Sequence, residues 1–264
     1  MIRAALAILL CAQPASQEVG GARDAAAEAF RAQGIRLDLE HGLCSIPVTV
    51  LVRDDLLEYV LVNPHGAAHE SLFVTEVDAA VLNAALVALG VEPGKNARWK
   101  PVEPAPSPDE VRAGADAWQV EVPRGDGFHL YVGWRDGEET FFYRLEDLMR
   151  NLETGRAMRR HRWVYLGSRF VRFRPGAEEV FAATFEGNLV NLSFFEQGNT
   201  LLTAALPECE KQTIWLPNAW LIPGSGERVD LVWSRERLDA PPPALVAGFP
   251  KLTAEGPASA GEGR

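Results

Sequence analysis

Cysteine is scarce in this chain, three in 264 residues, and no Cys-x-x-Cys pair occurs. An iron–sulfur cluster takes about four thiolate ligands, so the sequence supplies no set for one, and no other cofactor is indicated. Positive charge is also short: 26 Lys and Arg face 36 Asp and Glu, for a formal net charge of −10. That balance opposes the phosphate neutralisation on which nucleic-acid binding depends, so nucleic acid is not an expected partner. Long apolar runs are missing too. The apolar run Ala4 to Leu10 is far below the ~20 residues that span a bilayer and no other stretch comes near that length, so no transmembrane segment is expected in the mature chain. Two catalytic signatures are absent, the His-Glu-x-x-His of zinc proteases and the Gly-x-Ser-x-Gly nucleophile elbow.

What is present begins with a leader. Met1-Ile2-Arg3 is a short basic start, Ala4 to Leu10 is apolar, and Cys11 to Ser16 is small and polar, the three regions of a secretory signal over residues 1–16. An extracytoplasmic location, periplasmic or secreted, is the expectation. Cys11 directly after the apolar run also fits a lipoprotein, but the large Leu10 before it favours ordinary cleavage near Ala12 or Ser16. Cleavage leaves Cys44 and Cys209, a candidate disulfide in an oxidising compartment. With 47% hydrophobic and 23% charged residues the mature chain is globular.

Residues 17–34 form an alanine- and charge-rich lead-in, with a short helix expected from Asp24 to Ala32 and a stop at Gly34. From Ile35 the period becomes two. Ile46 to Val52 and Leu56 to Val62 around Arg53-Asp54-Asp55 read as an antiparallel hairpin. A helix follows from about Glu76 to Leu89, capped by Thr75 with Asp78 reaching back, and closed by Gly90. Its apolar face is Val77, Val81, Ala84, Ala85 and Ala88, widened by Leu82, Leu86 and Leu89. Prolines 93, 101, 104, 106 and 108 make residues 92–115 an extended connector and a candidate boundary between two lobes. Strands then recur at short spacing to Trp233, with turns at Asp136-Gly137, Thr154-Gly155 and Gly187-Asn188 and a short helix from Leu145 to Leu152. The fold class is α+β, mainly antiparallel sheets with one well-formed helix packed on them and a second short one. The domain should span residues 35–236, and the Ala-, Pro- and Gly-rich stretch 237–264 reads as a disordered tail.

One cluster invites a chemical reading: Asn63-Pro64-His65-Gly66-Ala67-Ala68-His69-Glu70-Ser71. His65, His69 and Glu70 are suitable metal ligands, although Pro64 and Gly66 oppose the helix that would place both imidazoles on one side. Ser71 would need a base and an orienting group, and in a strand His69 and Ser71 share a face while Glu70 points away, so these neighbours form no triad. The simpler reading makes Glu70 a partly buried carboxylate tied to a backbone amide or an arginine, with His69 fixing the turn. Such an anchored carboxylate is still a place to look for a ligand, and His69, Glu70 and Ser71 are candidates. Trp118, Trp163 and Trp233, in alternating strands, should fill the core, whereas Trp215 and Trp220 flank Pro217-Asn218-Ala219 and are candidate ligand contacts. Arg156, Arg159, Arg160, His161 and Arg162 form a basic run, read as a solvated turn or an anion contact.

Several blocks in order resemble the YdjY domain of bacterial envelope proteins. They are His69-Glu70-Ser71-Leu72, Ala84 to Gly90 with Pro93-Gly94 and Trp99, Leu152 to Met158, Trp163 to Phe170, Glu186 to Val190, and Ile222-Pro223. The resemblance spans about Ile35 to Trp233 and implies a family of unknown function, some of whose members carry a ferredoxin-like label that the cysteine count here argues against. The chain departs from the family where a Ser-Asn-Phe segment is expected and Ser193-Phe194-Phe195 stands instead. Two functions follow: an exported non-catalytic binding domain for an envelope protein or small ligand, or a metal-dependent envelope enzyme using His65, His69 and Glu70.

Overall fold

Alternating apolar residues after Ile35 end in a sheet that closes on itself. The computed structural model describes residues 27–172 and 174–253. Going round the barrel, Leu43–Val50 is followed by Arg228–Ser234, Gly127–Asp136, Trp163–Tyr165, Leu202–Thr203, Asn188–Asn191, Tyr59–Val62 and Ser71–Val74. The last of these pairs back onto the first through Thr49 and Val50. Two contacts are parallel, Asn188–Asn191 with Leu202–Thr203 and Tyr59–Val62 with Ser71–Val74, and the other contacts in the ring are antiparallel. Arg36–Asp38 and Glu139–Arg144 add to the outside of the ring, on Leu43–Val50 and Gly127–Asp136. The β-rich expectation holds, but the separate antiparallel sheets are one mixed barrel; closure removes the open edges those sheets would have carried.

The expected hairpin across Arg53-Asp54-Asp55 does not form. Leu43–Val50 instead runs its length against Arg228–Ser234, and Tyr59–Val62 pairs with Asn188–Asn191 and Ser71–Val74. The turn offers no glycine for the positive φ that a tight hairpin needs, so nonlocal pairing wins. The Asp136-Gly137 turn has that glycine, at φ 55°, and its hairpin forms as expected.

Helix Ala79–Ala88 starts later than the sequence suggests. Asp78 is the cap, accepting from the N–H groups of Ala80 and Val81 at 2.8 and 3.0 Å. Thr75 is engaged elsewhere: its hydroxyl donates to the Pro47 carbonyl and accepts from Val77 N–H. Leu82, Ala85 and Leu86 are buried while Ala84 and Ala88 are exposed, and Asn83 accepts from the Tyr165 hydroxyl at 2.6 Å.

The connector divides nothing, since strands from both sides of it close the same barrel. It is an excursion built from ribbon Arg98–Pro101 with Trp118–Glu121 and helix Pro108–Arg112, the latter capped by Ser107 and Glu110. A two-stranded ribbon leaves one face in water, and Trp118, expected in the core, is 58% exposed there.

Trp163 and Trp233 are fully buried in the main core with Cys44, Leu130 and Phe128. On the opposite faces of the same strands, Leu43, Tyr131 and Val232 pack with Leu245 and Phe249. Residues 237–253 are therefore not a free tail: helix Pro243–Val246 and the Arg135–Lys251 bridge lay them on the outside of the barrel. The expected leader lies outside the described residues, and the lead-in helix is seen at 27–31.

Candidate functional site

The His65–Ser71 loop is fastened to the helix Ala182–Glu186. Asn63 donates its backbone N–H to the Gly187 carbonyl at 2.8 Å and accepts from His65 N–H at 2.8 Å, while Ala67 N–H donates to Asn188 Oδ1 at 3.1 Å. Gly66 is required by this contact, because a Cβ there would lie 2.6 Å from the Gly187 carbonyl oxygen and 2.8 Å from Asn188 Oδ1. Ser71 is buried and donates its hydroxyl to the Ala67 carbonyl at 2.6 Å, which makes it a brace for the loop rather than a nucleophile.

Glu70 ends a 3-10 turn, Ala68–Glu70, so the expected strand alternation through it is broken. Among the described residues its carboxylate meets neither an arginine nor a backbone amide. It lies 2.7 Å from Nε2 of His69, a side chain 79% exposed, and it hydrogen-bonds the side chain of Glu58. Glu58 is fixed through its backbone, donating to the Glu70 carbonyl and accepting from Leu192 and Ser193 N–H groups. Burial first, and then the Glu70 carboxylate, push the Glu58 carboxyl up to about 7. The adjoining Tyr59 hydroxyl is pushed up to about 12 by burial and by Glu58, Glu70 and Glu186.

The Glu58 shift has a stability consequence with a definite sign. A carboxyl raised in the folded state binds its proton more tightly than in the unfolded chain, so stability falls as pH rises from about 4.5 to about 7. Glu58→Gln should therefore raise the melting temperature relative to wild type more at about pH 8 than at about pH 5. An equal difference at both pH values in a thermal melt would remove the carboxyl pair from this account.

Behind Tyr59 is a cavity of about 140 Å³. The Tyr59 ring is stacked on Phe195 with centroids 5.0 Å apart and 4° between planes. On the other side Asn199 bridges Arg169 and Glu186, accepting from Arg169 Nε at 2.7 Å and donating to Glu186 Oε1 at 2.5 Å. Asn191, on the barrel strand beside Tyr59, is among the residues that line the cavity; it is 5% exposed, and its Oδ1 is buried with no hydrogen-bond partner among the described residues.

The sequence candidates thus separate. His69 and Glu70 come together, but His65, His69 and Glu70 do not converge on a common point: among the described residues no group of three His, Cys, Asp or Glu side chains could hold a metal ion. Trp215 is buried in the Trp215–Pro217 strand and offers no face to a ligand, while Trp220 is 94% exposed; neither lines the cavity. Cys44 and Cys209 are free, buried thiols, so the candidate disulfide is not formed, and burial pushes the Cys44 thiol up to about 12. Much of the basic run is paired with acidic residues elsewhere in the fold: Arg159 with Glu208 and Arg160 with Asp147, while His161 sits against the buried Glu146. Among the described residues no helix is long and apolar enough to cross a membrane.

Sequence reasoning missed Glu58, Glu186, Asn191 and Asn199. Two asparagines flanking Leu189-Val190, at 188 and 191, are the available signal, because asparagine is depleted in strands. Glu58 carried none.

A family model for the YdjY domain matches residues 38–233. The chain belongs to the YdjY-domain family. No curated protein and no solved structure matches it. Within this YdjY domain the cavity draws on the Glu186–Val190 block that carries the resemblance. Its Phe195 wall falls in the segment where the chain departs from the family pattern.

Proposed function

We propose that this YdjY domain is an exported, non-catalytic binding domain whose ligand enters the cavity between Tyr59 and Asn199. The observation that supports it most is Asn191. A buried amide oxygen with no partner costs about 1–3 kcal/mol, a penalty that a hydrogen bond from a ligand would offset. Residues kept at a cost to stability are characteristic of binding sites. The pattern of residues 1–16 supports export.

Asn191→Leu separates a binding role from a structural one. The variant should melt at or above the wild-type temperature without ligand, since it removes an unsatisfied amide. Screened by thermal shift against cationic, neutral and anionic metabolites, wild type should respond to at least one class, and Asn191→Leu should lose that response. A wild type silent to every class, or a variant that keeps the full response, removes the cavity as the binding site. Expression with the native leader followed by cell fractionation checks export, and a wholly cytoplasmic product removes that half of the reading.

A further inference from the structure

We infer that the cavity takes a protonated primary amine carried on a short alkyl chain. This rests on the binding reading above and adds the chemical class.

Among the described residues that line the cavity, Glu186 is the one charged side chain, set among the amides of Asn188, Asn191, Gln197 and Asn199. Glu186 has no ion-pair partner among the described residues; its contact is the neutral Asn199 amide, and Arg169 reaches only the far side of that amide. Asn191 Oδ1 adds a second acceptor, already stripped of water and left unpaired. An ammonium group brings three donors and a positive charge, and so answers both needs at once. An anion would meet neither and would enter against the Glu186 carboxylate. A neutral polyol could satisfy Asn191 but would leave the Glu186 charge uncompensated.

Size and shape agree with this class. A volume of about 140 Å³ is close to the ~150 Å³ engineered cavity that holds benzene, which leaves room for the ammonium head and roughly four or five carbons. The stacked Tyr59–Phe195 pair supplies an apolar and π-rich wall for the methylenes and the cation. The ligand could be a free alkylamine or the side chain of a lysine in a peptide, since both present the same group.

Isothermal titration of the full chain with 1,4-diaminobutane, N-acetyl-lysine methylamide, 1,4-butanediol and glutarate tests the assignment. At least one amine should bind about tenfold or more tightly than the diol, and glutarate should not bind. Tighter binding of the diamine identifies a free alkylamine, and tighter binding of the lysine derivative identifies a peptide side chain; either supports the proposal. Glu186→Gln keeps the acceptor for Asn199 and should lose about tenfold or more in amine affinity. If that variant does not fold, Asn191→Leu provides the same comparison. Diol or glutarate binding as tightly as the amines would overturn the amine assignment while leaving the cavity a binding site. Silence from all four probes would overturn the amine assignment, and a silent metabolite screen beside it would remove the cavity reading as well.

Discussion

Glu146→Ala is expected to lower the unfolding free energy by about 3–5 kcal/mol, because it leaves a buried charge without its partner. Glu146 is fully buried in the turn Leu145–Leu148 and accepts from four groups. Arg144 grips it through Nε at 3.1 Å and Nη2 at 3.0 Å, Trp163 donates its indole N–H at 3.1 Å, and His161 donates its backbone N–H at 3.3 Å. Arg144 also donates to the His161 carbonyl at 3.0 Å and lies over the Tyr131 ring, so it cannot turn out to solvent without losing those contacts. The carboxylate thus ties the end of the Gly127–Asp136/Glu139–Arg144 hairpin to the strand Trp163–Tyr165. Chemical denaturation at neutral pH measures the loss, and a value below about 1 kcal/mol would mean that Arg144 finds another partner. A paired replacement, Arg144→Met with Glu146→Leu, should recover most of the stability, since apolar residues of similar volume often substitute well for a buried ion pair. His161 sets an acid limit for the same region. Burial holds its imidazole below the usual histidine value, so the unfolded chain takes up a proton first and stability falls as pH drops below about 6.5.

Local chemistry in this chain is legible and nonlocal pairing is not. Gly90, Gly137, Gly155 and Gly187 all turn the chain at positive φ where the sequence places turns, because a left-handed residue is a one-position requirement. Helix Ala79–Ala88 was visible from its apolar spacing, yet its cap moved to Asp78 because the Pro47 carbonyl, distant in sequence, claims the Thr75 hydroxyl. Barrel closure was hidden for the same reason: Leu43–Val50 and Ser71–Val74 meet through Thr49, Val50, Phe73 and Val74, and nothing local in either strand names the other. Half of the candidate site behaved likewise. His69 and Glu70 are neighbours and were found together, but their partner Glu58 and the cavity residues Glu186 and Asn191 reach them only through the pairing of Tyr59–Val62 with its two flanking strands. Composition reports average polarity and so hides the seating of 237–253, where Leu245 and Phe249 pack on Tyr131 and Val232 beside the Arg135–Lys251 bridge.

Gly187→Ala should cost about 2–5 kcal/mol and shift the Glu58 titration, and Gly90→Ala separates the two causes. Both glycines adopt nearly the same conformation, φ 77° at Gly187 and φ 75° at Gly90, so the left-handed penalty of about 1–2 kcal/mol is common to both. They differ in their surroundings. A Cβ at Gly90 would meet nothing within 4 Å, whereas at Gly187 it would overlap Asn63 Oδ1 and the Gly66 backbone. The extra term is therefore steric, of the ~1–3 kcal/mol typical of overpacking, and it acts on one loop. Asn63 holds the His65 N–H, and Asn188 holds the Ala67 N–H, so relieving the overlap must shift the segment that carries His69 and Glu70. Glu58 would then lose the neighbour that helps raise its carboxyl, and its titration should move back toward the ordinary carboxylate range. Carbon-detected NMR titration of the glutamate carboxyls in Gly187→Ala and Gly90→Ala reads that change directly. Equal stability losses at the two glycines, with Glu58 unmoved in both, would show that the Gly66–Gly187 contact does not position the site.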